Sequence, residues 1–257
     1  MSLKFTILGC GYSMGVPRID GYFGKCNPRN KKNYRTRCSA LISSTNLNIL
    51  IDSSPDLKSQ LISNKVKNIN KIFYTHSHGD QTHGINDLRV FYLKSGKRLP
   101  VFADKETSNY LTKTFKYCFL NTKEYPPILK LNKLKKVHIF KSKNIKIKIE
   151  SIAVEHGKID SICYIINDKC AYASDVSKIY EKDFNKFLNL NYLVIDCLRY
   201  SSHYSHYNLD GVLNLVSIIK PKKTILTNLN NEMDYSKLKK ILPKNVIPAY
   251  DGLSFYI

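Results

Sequence analysis

No C-x-x-C pair occurs in these 257 residues, and the seven cysteines (10, 26, 38, 118, 163, 170 and 197) are scattered and odd in number. That excludes a disulfide framework and a cysteine-rich zinc module, and reduced, mostly buried thiols are expected. No apolar run approaches the roughly 18 residues that a membrane span needs. The opening MSLKFTILGC reads as a short strand ending in glycine and does not resemble a signal peptide. The expectation is a cytoplasmic protein with no membrane part. No repeat, low-complexity linker or composition break marks a boundary, so residues 1–257 are read as one domain, long enough to bury a core without staples.

Acidic residues are scarce as well: 20 Asp and Glu stand against 41 Lys and Arg, a net charge of +21. Such a field favours anionic partners. Yet only seven of the basic residues are arginine, and 23 asparagines accompany the lysines, all residues of AT-rich codons. Base composition can therefore supply much of the charge without selection for a partner. Lys130 to Lys148 holds eight lysines and no acidic residue, and its alternating end, IKIKIESIAV, fits an amphipathic strand with Lys toward water. A solvated face is the favoured reading, a track for a polyanion the other.

Short strands alternate with helical segments throughout. KFTILG, CSALIS and LNILID read as strands, then PDLKSQLIS as a helix with proline in its first turn. KIFYT is a buried strand, INDLRVFYLK and KETSNYLTKTF are helical, and KIKIESIAV, ICYIIN, CAYAS and YLVID return to strands. In NLDGVLNLVSII, Leu209, Val212, Leu213 and Val216 form the i, i+3, i+4, i+7 stripe of a helix packed on one face. Lys220-Pro221 ends it, and KTILTNL is a further strand. Two strand-rich halves with outer helices make a layered α/β fold.

Polar residues gather where these strands stop. His76, His78 and Asp80 follow KIFYT at intervals of two. In extended chain, side chains i and i+2 share a face, so both imidazoles can converge on one ion. Imidazole and carboxylate donors suit zinc, iron or manganese. His156 follows KIKIESIAV, Asp175 follows CAYAS and Asn228 follows KTILT. Such residues collect on one sheet edge, where α/β folds place their sites. Taken singly, His156 is equally a turn residue and Asp175 a helix N-cap. H-x-H-x-D directly after an apolar strand is the specific signal. GCGYSMG, with no helix-forming run behind its glycines, reads as a loop lining the site.

These motifs, with LGCGYSMGVPRI, NYRTRCSALI, IDSSPDLKSQL, THSHGDQTHGINDLR, VEHG, YASDVSKI and IDCLRYSSHYSHYNLDGVL, resemble the metallo-β-lactamase fold superfamily along nearly the whole chain. Within it they look like the cyclic phosphodiesterase branch, which includes enzymes acting on phosphoribosyl 1,2-cyclic phosphate. The resemblance implies a four-layer αββα sandwich, an α/β metallo-hydrolase domain with a two-metal site. His76, His78 and His156 would bind the first metal, Asp80 the second, and Asp175 would bridge. His206 matches the position proposed as general acid or phosphate contact, with His203 beside it. Arg35, Arg37 and Arg89 fall in family-like segments as candidate phosphate contacts, Arg89 being equally a salt-bridge partner on its own helix. A homodimer follows from the resemblance only. IDSSPDL, and the lack of a Gly/Pro-rich insertion, set the chain apart from tRNA 3′-processing endonucleases.

Two positions depart from the pattern, and both belong to the second metal. Gln81 stands where H-x-H-x-D-H has its last histidine, and Asn228 where the final histidine ligand is usual. Amide oxygens are harder donors than imidazole, so an altered second site would suit manganese or magnesium better than zinc. His83 would not replace the lost ligand, since two residues of helix rotate it by roughly 200°. The expected cofactor is zinc or manganese, one ion rather than two. The expected activity is hydrolysis of a phosphodiester in a small cyclic or nucleotide-like substrate by metal-activated water, which Asp80 or Asp175 orients. The alternatives are a tRNA 3′-processing-type endonuclease acting on RNA, and a non-catalytic nucleotide- or RNA-binding relative.

Overall fold

The structure is a computed structural model that describes residues 3–122, 125–142 and 145–257. Strands β1 (Lys4–Gly9), β2 (Ser39–Ser44), β3 (Leu47–Ile51), β4 (Lys71–Phe73), β5 (Leu99–Ala103) and β6 (Leu129–Lys133) form one sheet. The other holds β7 (Val137–Ser142), β8 (Ile145–His156), β9 (Ile159–Ile166), β10 (Cys170–Ala173), β11 (Tyr192–Asp196), β12 (Lys223–Thr227) and β13 (Val246–Pro248). The last strand, β14 (Ser254–Tyr256), crosses back to pair with β1, so each sheet has seven strands.

The near-continuous apolar runs of these strands are explained by burial on both faces, which the two-residue period divides between two cores. Ile7, Ile42, Ile49 and Phe73 point inward and meet Ile149, Tyr164, Tyr172 and Val194 of the other sheet. Their neighbours Leu8, Leu41, Leu50 and Ile72 point outward and pack under α1 (Leu57–Ser63), α3 (Arg89–Ser95) and α4 (Lys105–Thr114). Short α2 (Gly79–Thr82) and α5 (Lys116–Phe119) flank these helices. On the far side Ala171, Ala173, Leu193 and Ile195 meet α6 (Leu209–Ile219) and α7 (Tyr235–Ile241). The result is the four-layer αββα arrangement.

Helix boundaries differ from the pattern where a side chain has another partner. Pro55 lies outside α1, which starts at Leu57, because the Asp56 carboxylate at its N-cap accepts from Arg37 and not from the helix. INDLRVFYLK divides into a 3-10 turn, Ile85–Leu88, and α3, which ends at Gly96 in the left-handed region. α4 and α6 start where the cap residues Asp104 and Asn208 accept from Thr107 N–H and Gly211 N–H. The buried stripe of α6 runs on through Leu215 and Ile219, with Leu213 only partly buried.

Strands β6 and β7 are the edges of their sheets, so the basic stretch lies along an edge of the sandwich. Lys143 and Asn144 of that stretch are outside the described residues. Beyond them Lys146 is exposed, Ile147 and Ile149 are buried, and Lys148 meets Asp168 at 2.7 Å, which is the expected alternation. Lysines on an edge also discourage pairing with another chain. All seven cysteines are buried and unpaired. Among the described residues no helix is long and apolar enough to cross a membrane.

Strand direction places the site. β3, β4 and β5 run parallel, as do β10, β11 and β12. β8 reaches β10 through two antiparallel pairings, so its end lies beside that of β10. The C-terminal ends therefore bring His76, His156, Asp175, Asp196 and Asn228 together. Asp251, before β14, ties down the loop after β1: its carboxylate accepts from Cys10 N–H (3.1 Å), Thr36 N–H (2.7 Å) and the Thr36 hydroxyl (2.6 Å). Asp251→Ala strands those donors, and a loss of about 3 kcal/mol is expected in urea unfolding; an unchanged midpoint would deny Asp251 this role.

Candidate metal centre

Three imidazoles converge, two from the loop after β4 and one from the end of β8. One ring nitrogen from each of His76, His78 and His156 lies within 4.8 Å of the others, and His76 Nε2 is 3.0 Å from His78 Nδ1. Ligand atoms on a tetrahedral ion at 2.0–2.1 Å lie about 3.3 Å apart. The two nitrogens therefore already stand near the edge length of a coordination shell.

Neighbouring groups decide which nitrogen faces the site. The Thr75 hydroxyl is 2.9 Å from buried Asp52 and 3.0 Å from His76 Nδ1. Donating to the carboxylate, it can accept Nδ1–H and leave the Nε2 lone pair for the centre. His156 donates Nδ1–H to the Ser205 carbonyl at 2.7 Å, with the same effect. That contact needs Gly157, whose φ is +65° and whose Cβ, if present, would stand 2.8 Å from Ser205 Cβ. Burial lowers the pKa of His76 to about 3, opposed by Asp175, so the ring stays neutral as a ligand must. Burial lowers His156 as well. Three converging imidazoles with a carboxylate beside them fit a divalent ion of the zinc type.

The carboxylate side holds more charge. Burial works to raise Asp175, but His76, His206 and His156 outweigh it and hold the group below the usual range. Burial raises Asp80 to about 7, with Asp175 adding to the effect. Buried Asp196, at the end of β11, accepts from His206 Nδ1 at 2.6 Å. Burial alone would lower His206; Asp196 reverses this and raises it to about 9. Gln81 is wholly buried and donates Nε2–H to Asp80 Oδ2 (3.2 Å) and Asp175 Oδ2 (3.0 Å). Asn228, at φ +58°, donates to the Ser174 carbonyl (2.9 Å) and Asp175 Oδ1 (3.2 Å).

A cavity of about 490 Å³ opens over the centre, lined among others by His78, Asp80, His156, Asp175, His203, His206 and Asn228. Tyr12, Ser13 and Met14 of the glycine-rich loop form part of its wall. His203 lies at the rim, where its Nδ1 accepts from the Ser205 hydroxyl at 3.2 Å. Arg35 and Arg37 do not line this cavity, and their placement gives no support to phosphate binding. Arg35 is 2 % exposed and donates to Asn33 Oδ1, Asn230 O and Met233 O. Arg37 forms a two-pronged pair with Asp56 at 2.7 and 2.8 Å. Arg89 instead lies over the Tyr125 ring, away from this cavity. Arg18 and Arg199 supply the cavity's cations. His83 turns away to the Tyr110 hydroxyl, 2.9 Å distant. Sequence reasoning missed Asp196, although an acid closing the apolar run YLVID is the signal that marked the other strand ends.

A family model for the Beta-lactamase superfamily domain matches residues 47–227, from β3 through β12, and the chain belongs to that superfamily. A diphosphatase from the PhnP family has a similar solved structure, with a TM-score of 0.90 and 27% identity over 100% of this chain and 98% of that one. Zinc-bound PqqB from Methylobacterium extorquens (TM-score 0.73, 15% identity, 99% and 100% coverage) shares the fold. So does the short form of human tRNase Z (TM-score 0.67, 15% identity, 98% and 98% coverage). An octanoyltransferase of Porphyromonas gingivalis (strain ATCC BAA-308 / W83) is 27% identical over 260 residues, 99% of this chain and 52% of that protein. The chain thus spans about half the length of that curated relative.

Gly157→Ala pushes Ser205 off His156. The variant is expected to bind zinc about 10- to 100-fold more weakly in competition with a chromophoric chelator, whereas unchanged affinity would show that Ser205 does not set the ring.

Proposed function

We propose that this chain is a metal-dependent phosphodiesterase of a small cyclic or nucleotide-like substrate, holding one divalent ion, zinc or manganese, on His76, His78 and His156. The observation that carries the reading is the convergence of these imidazoles beside a cavity of about 490 Å³, which His78, His156, Asp175 and His206 line. That volume lies in the usual range for small-molecule sites.

A bound ion would supply Lewis-acid polarisation of the phosphoryl group and acidify water. The chain's own residues do the rest. Asp80 and Asp175 face the cavity, where a carboxylate can orient a water and take its proton. His206 donates through Nδ1 to Asp196, leaving Nε2–H to protonate the leaving alkoxide. Arg18, Arg199 and the net charge of +21 favour an anionic substrate.

The PhnP-family diphosphatase supports chemistry at phosphorus. The same charge, with the tRNase Z likeness, favours RNA cleavage as the second reading. The octanoyltransferase name belongs to a protein about twice as long, and the polar floor of this cavity favours a phosphoryl group over an acyl chain.

The test is an assay of protein reconstituted with zinc or manganese against bis(4-nitrophenyl) phosphate, 2′,3′-cyclic nucleotides, a dinucleoside diphosphate and a precursor tRNA. Turnover of a small phosphorus ester is expected, falling at least about 100-fold in His156→Ala and about 10²- to 10⁴-fold in His206→Gln. Cleavage of RNA alone, with steeply salt-dependent binding, would favour the second reading. No turnover with either metal would leave a binding protein.

A further inference from the structure

Asp80 and Asp175 both direct an oxygen at one atom, Gln81 Nε2, at 3.2 and 3.0 Å. Two carboxylates so close, Asp175 buried and Asp80 partly so, repel unless something positive or proton-bearing stands between them, and a divalent cation is the usual occupant. Here an amide is between them. Asp175 receives a second amide, Asn228 Nδ2, on its other oxygen at 3.2 Å. Both amides are buried, Gln81 at 0% and Asn228 at 2% exposure. The Gln81 protons are committed to the two carboxylates, and the Asn228 protons to Asp175 and the Ser174 carbonyl.

The orientation of Gln81 is informative. Its Oε1 is buried and has no hydrogen-bond partner. An orphaned buried acceptor is a cost that native structures avoid. Turning the amide over would place Oε1, which carries no proton, against the oxygens of Asp80 and Asp175. The donor orientation is the one that satisfies the acids.

We infer that Gln81 and Asn228 take the place of a second divalent ion, clamping Asp80 and Asp175 with neutral N–H donors and restricting the centre to the ion on the three histidines. This rests on the functional reading above, and it assigns the metal count to two residues that do not touch that ion. An amide needs roughly 3 Å to each oxygen, where a zinc ion takes about 2.0–2.2 Å. The clamp and the ion exclude one another.

The experiment is elemental analysis of untagged protein, saturated with zinc or, separately, manganese, and then desalted. Wild type is expected to hold one ion per chain, and the Gln81→His/Asn228→His double variant two. Gln81→Glu, an isosteric change that puts an anionic oxygen in place of the amide nitrogen, is expected to take up a second ion too; it keeps the test informative if the double variant does not fold. Two ions in wild type with either metal would overturn the clamp and leave the three-histidine reading standing. No ion in wild type would overturn both. A single ion in every folded variant would show that the amides are not what keeps the second out.

Discussion

His76 and His78 leave one sheet and His156 leaves the other, and their ring nitrogens meet within 4.8 Å. Neither sheet has this centre alone, so its geometry depends on how the two pack through Phe73, Ile149, Tyr164 and Tyr172. Close packing makes such a core stiff, which lets remote strand ends be held at ligand spacing. Two of the rings are then turned by their neighbours: Thr75 and Asp52 for His76, the Ser205 carbonyl for His156. The fold brings the histidines together, and these bonds choose the nitrogen that faces inward.

Around that point the chain buries an unusual amount of acid. Asp52, Asp175 and Asp196 are almost wholly inside, and Asp80 beside them is partly so. Buried carboxylates are tolerated when donors or cations surround them. Thr75 serves Asp52, His206 and the Val176 N–H serve Asp196, and the amides of Gln81 and Asn228 serve Asp80 and Asp175. A chain of net charge +21 has thus gathered several of its acids beside the three converging histidines.

Much of this was legible in the sequence because two simple signals carry it. Short apolar runs marked the strands, and abrupt polar residues at their ends marked His76, His78, His156 and Asp175. Remote contacts left little local trace. Arg35 is buried by Asn230 and Met233, some 200 positions away, and nothing local distinguishes it from an arginine at a site. Arg18 and Arg199 reach the cavity only through the course of their loops. The start of α1 shifted because Asp56 pairs with Arg37, a choice between two partners that propensity does not record. Gln81 stood out as a departure, but its grip on two acids is a fact of three dimensions.

The most direct test of the centre is the X-ray absorption spectrum of the metal in the purified protein. Three imidazole nitrogens at about 2.0–2.1 Å, with the scattering pattern of histidine rings and no sulfur, is the result this account requires. Sulfur at about 2.3 Å, or a shell of oxygen alone, would place the ion elsewhere and contradict it.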